Sequence, residues 1–151
     1  MQRWIVMAVV ALSLLLGGGG FAYWNYKQNL PHPVWVPLPL NPEASAAKRD
    51  EIVKQIKAKL GTTESLTRIS KDLNLTKRWR LASDEDAAGE LGRRLFVETA
   101  EADTPAGKVS SINIGVRGTL RETGISTEIA THLMKDVSKL FGIGEPPKQE
   151  F

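Results

Sequence analysis

The chain has 151 residues, a formal net charge of +3, no cysteine and two histidines. That length holds one ordinary domain plus whatever the N-terminus does, and the missing cysteines exclude a disulfide framework and a cysteine-based zinc site. With no cysteine to report on redox compartment, location must be read from the first segment.

Residues 4–24, "WIVMAVVALSLLLGGGGFAYW", carry no charge. As a helix this run is long enough to cross a hydrocarbon core of roughly 30 Å. Residues 1–27 are therefore read as a transmembrane helix or signal anchor. Trp4 marks one interface, and Tyr23, Trp24 and Tyr26 mark the other just before Lys27, as in an aromatic belt. Positive charge is heavier on the short N-terminal side, which places the N-terminus in the cytoplasm and the rest outside. The rival is a cleaved secretory signal, cut after Ala22; both readings export the domain. Ser13 and Gly17 form a small-xxx-small pair, a candidate for helix packing within a membrane.

Residues 28–44 hold five of the eight prolines, so they form either a spacer or an edge strand. A domain is expected over 45–142, followed by a tail at 143–151. Ser45 opens a helix with Ile52, Val53, Ile56 and Leu60 on one face and Gly61 as its stop. A second helix starts near Thr63 with the stripe Leu66, Ile69, Leu73, and "LNLTKRWRL" is expected to lead out of it as a mostly extended connection. Ser83 or Asp84 caps a third helix, whose acidic start and basic end suit the helix dipole. A short strand "LFVET", a polar connection "AEADTPAGKVS" and an alternating strand "SINIGVR" follow. The last helix runs from Ile125 to about Phe141. The fold class is α+β, a small mixed or antiparallel sheet with helices packed on one face, preceded by the N-terminal transmembrane helix.

Few residues suggest chemistry. "GVRGTLRETG" lacks the lysine and hydroxyl of a Walker-type phosphate loop and the spacing of a dinucleotide loop, so Gly115, Gly118 and Gly124 read as permissive turn positions. Arg117 and Arg121, flanking a helix start, are candidate anion or partner contacts. So are Lys77, Arg78 and Arg80 in "TKRWR", which fits either a headgroup or polysaccharide contact, or a connection in which Trp79 packs on the fold edge. His32 and His132 read as surface or boundary residues, and Asp84, Glu85 and Asp86 as a helix cap and first turn. No catalytic residue, metal, cofactor or nucleic-acid partner is expected.

The order of elements over residues 31–141 resembles the periplasmic domain of the Wzz-type chain-length determinants, the bacterial polysaccharide co-polymerases. The likeness rests on "ISKDLNLTKRW", with Leu73, Asn74, Leu75 and Trp79, then on "DEDAAGELGRRLFVET", "SSINIGVRG" and "ISTEIATHLMKDV". The family's aspartate-proline phrase, coiled-coil extension and second transmembrane helix have no counterpart in these residues. The resemblance implies a non-enzymatic, single-pass protein of the bacterial inner membrane, with its domain in the periplasm. It also implies self-association, or binding to other membrane proteins of polysaccharide export, and allows polysaccharide contact. The alternative is a membrane-anchored adaptor of another envelope machine, such as a secretion or pilus complex.

Overall fold

A computed structural model describes residues 19–40, 45–104 and 107–141. Most of the expected membrane span, with Ser13 and Gly17, lies outside the described residues, as does the expected tail at 143–151. Among the described residues no helix is long and apolar enough to cross a membrane.

Residues 19–28 are helical and run almost directly into β1, Pro31–Pro39. Four helices follow: α1 Ala46–Leu60, α2 Thr63–Asp72, the single turn α3 Leu75–Arg78, and α4 Asp84–Arg94. The hairpin of β2, Leu95–Thr104, and β3, Gly107–Thr119, leads through a short 3-10 turn into α5, Thr123–Phe141. The three strands form one antiparallel sheet in the order β1-β3-β2. The protein is α+β, and the sheet is antiparallel rather than mixed.

Helix starts follow the capping logic of the sequence. Ser45, Thr62 and Ser83 each accept a bond from the backbone N–H three residues on, supplying a partner that the first turn lacks. Ser83, not Asp84, is the cap of α4. The phrase "LNL" acquires a physical meaning. Asn74 adopts the left-handed conformation (φ 54°) that ends α2, and Leu75 is fully buried as the next turn begins. The expected extended connection is therefore a helical turn. Arg80 (φ 56°) ends it, with its N–H donating to the Lys77 carbonyl and Leu81 N–H donating to Thr76, a Schellman arrangement.

Four of the residues in β1 are prolines, yet the strand pairs with β3 along its whole length. The flanking bonds explain how. Leu40 donates to Ser110 and Leu30 accepts from Leu120, so the even-numbered residues face β3. Pro31, Pro33, Pro37 and Pro39 take the odd positions, where a missing N–H costs no ladder bond. Even-numbered side chains also point to the core: Val36 opposes Ile114, and Leu38 opposes Ile112. Val97 of β2 also opposes Ile114, and these residues pack with Ile56, Ile69, Leu91, Ile129 and Leu133 in one buried cluster. Each such side chain fully withdrawn from water contributes about 1.5–3 kcal/mol.

Two expectations are corrected here. The hairpin extends through Thr104 and Gly107, so much of the "polar connection" is strand; its sequence lacks the apolar alternation that marks a strand. Gly115 and Gly118 lie inside β3 rather than in a turn. A Cβ on Gly115 would stand 2.1 Å from the Val34 carbonyl oxygen and 2.7 Å from Trp35 Cα, and one on Gly118 would stand 2.4 Å from Ser126 Oγ. Close approach, not backbone freedom, accounts for both glycines, against β1 backbone at Gly115 and against the Ser126 hydroxyl at Gly118.

A candidate anion cleft and an uncovered sheet face

Where helix 19–28 meets the sheet, a cleft of about 600 Å³ opens between α3, the start of α4's last turn and the β3–α5 connection. Its lining includes Asn29, Arg78, Trp79, Arg80, Arg94 and Arg121, together with Glu90 and Glu122. Three of the five basic candidates from the sequence, Arg78, Arg80 and Arg121, thus converge. Lys77 is exposed and is not part of the lining, and Arg117 lies on β3 facing away.

The charges of the cleft divide into two groups. Arg94 donates to Glu90 (2.6 Å) and Glu122 (3.0 Å), and its guanidinium lies 4.8 Å from the centre of the Trp79 ring. Desolvation opposes the charge on Arg94, but the bonds from both glutamates outweigh it and hold its pKa above the ordinary value. The same Arg94 bond holds Glu90 below the ordinary carboxylate range. Glu122 also accepts from the N–H and hydroxyl of Thr119, closing a capping box. Arg78 forms a two-pronged pair with Glu128 on α5, and that hydrogen bonding raises the arginine and lowers the glutamate.

Arg80 and Arg121 form the second group. Both are exposed, and neither has an ion pair or side-chain hydrogen bond among the described residues. Four arginines face two glutamates in this lining, and the glutamates are already engaged. The cleft offers two free guanidiniums to an anion.

Sequence reasoning missed Arg94, Glu90 and Glu122. The Thr119-x-x-Glu122 spacing is a capping-box pattern that marks one of them; Arg94 looked like an ordinary helix-end cation. It also missed the neighbours of His132, which lies 3.5 Å from Asp72 and 4.0 Å from Asp136 one turn on. Asp136 is nearly buried and takes a 2.7 Å bond from Arg68, so this group ties α2 to α5. No cluster suited to a metal ion occurs among the described residues.

The other notable surface is the sheet face away from the buried cluster. Trp35 and Phe96 oppose Gly115 from either side, and Trp35 keeps 44% of its surface exposed. Arg117 sits 5.7 Å from the Phe96 ring centre and pairs with Glu98 at 3.2 Å. On helix 19–28, Phe21, Tyr23, Trp24 and Tyr26 are exposed.

No protein-family model, curated protein or solved structure matches the chain.

Proposed function

We propose that this chain is a non-enzymatic assembly or regulatory protein of polysaccharide chain-length control and export, anchored in the bacterial inner membrane with its α+β domain in the periplasm. It acts by self-association or by binding other membrane proteins of the export system. The observation that carries this reading is the sheet face on which Trp35 and Arg117 are exposed and Phe96, with Arg117 over its ring, is half-buried. Tryptophan, aromatic and arginine side chains are the types that anchor protein interfaces. The four exposed aromatics of helix 19–28 support the anchor, since such side chains favour the boundary of a bilayer. The resemblance to the Wzz-type domains supplies the polysaccharide context.

Crosslinking with mass spectrometry on membranes of the native host, paired with sizing of surface polysaccharide after deletion, tests this function. Export partners and a shifted chain-length distribution are expected. Partners from a secretion or pilus machine, with polymer length unchanged, would replace this reading with the adaptor role.

A further inference from the structure

We infer that the arginine cleft beside helix 19–28 binds the phosphodiester headgroup of an anionic phospholipid, with Arg80 and Arg121 as the cations that meet it. This rests on the membrane-anchored reading of the N-terminus and adds a lipid preference to it.

Position is the first argument. Asn29 lines the cleft and lies three residues past Tyr26, the last aromatic of the helix. Three residues of helix rise roughly 5 Å, while the headgroup layer on each side of a bilayer is roughly 5–8 Å deep. A helix whose aromatics sit at the interface therefore holds the cleft at the depth of lipid phosphates. The hydrogen bond from Leu120 N–H to the Leu30 carbonyl fixes the β3–α5 connection, and with it Arg121, to the end of that helix.

Charge is the second. Glu90 and Glu122 are held by Arg94, so they do not neutralise Arg80 or Arg121. Free guanidiniums present paired N–H donors that suit phosphate oxygens. Arg80 also occupies a left-handed position where glycine is the easier residue, so its side chain is kept against a backbone penalty.

The test uses the full chain in nanodiscs of phosphatidylcholine alone or with phosphatidylglycerol, with phenylglyoxal modification of each arginine followed by mass spectrometry. Phosphatidylglycerol should slow modification of Arg80 and Arg121 about fivefold or more, the factor corresponding to ~1 kcal/mol per basic residue at an anionic surface. Arg117, on the sheet face, should react at the same rate in both. Equal rates for Arg80 and Arg121 in the two discs, with the chain incorporated, would overturn the inference alone. A chain that fails to enter discs would overturn the anchored reading and the lipid source together. Equal protection by soluble glycerol 3-phosphate in phosphatidylcholine discs would reassign the cleft to a free phosphate. Arg80→Gly provides the structural control: its melting temperature should hold or rise as the strain is released, while protection of Arg121 falls several-fold. Undiminished protection of Arg121 in that variant would exclude a shared phosphate and overturn the site.

Discussion

At Gly115 the β1 backbone leaves no room for a side chain on β3, and the cost of adding one methyl group there can be estimated. With its Cβ against the Val34 carbonyl and the Trp35 backbone, Gly115→Ala must push β1 away from the sheet. The expected loss is about 3 kcal/mol, the upper end for overpacking, because the obstacle is backbone and not a side chain that can rotate. Urea unfolding followed by circular dichroism measures it. Gly89 is the opposite case, helical and exposed with nothing within 4 Å of an added Cβ. Gly89→Ala should stabilise by about 0.5–1 kcal/mol through helix propensity alone. At the buried Asp136, Arg68→Met removes the 2.7 Å partner and should cost about 1–3 kcal/mol by leaving a desolvated carboxylate under-satisfied. Adding Asp136→Leu to that variant should recover part of the loss, since the penalty belongs to the stranded charge.

Between elements, ion pairs replace apolar contact at the rim. Arg78 joins α3 to α5 through Glu128, and Arg94 joins α4 to the β3–α5 connection through Glu122. Glu90 and Glu128 are held below the ordinary carboxylate value of 4.5 chiefly by their bonds to Arg94 and Arg78. As pH falls, the unfolded chain takes up these protons first, so stability is retained above about pH 4.5 and declines as pH drops through the lowered folded values. Arg78→Gln should flatten part of that acid limb, and added salt should weaken the remainder; thermal melts across pH check both. Element positions were largely legible in the sequence because caps and apolar stripes are local. Ser45, Thr62, Ser83 and the alternation Ile112, Ile114, Val116 each announce themselves within a few residues. The single turn at Leu75–Arg78 was not legible, because it depends on two consecutive left-handed endings, at Asn74 and Arg80, and only the first has a residue type suited to it. Nor was the cleft: Arg78, Arg80, Arg94 and Arg121 come from three parts of the chain, and only the fold shows which of them are already paired.

For the whole molecule, the position of β1 limits how copies can meet. It is an edge strand, but its prolines remove donors from the outward edge, so a neighbouring chain cannot readily extend the sheet there. Under the proposed self-association, copies are expected to meet through the sheet face that carries the exposed Trp35. Light scattering of the full chain in a mild non-ionic detergent, with the detergent mass subtracted, measures this most directly. The wild-type chain should give a defined oligomer that Trp35→Glu converts to smaller species while circular dichroism stays unchanged. A wild-type chain that remains a monomer at every concentration would contradict self-association, and an oligomer indifferent to Trp35→Glu would contradict the assignment of that face.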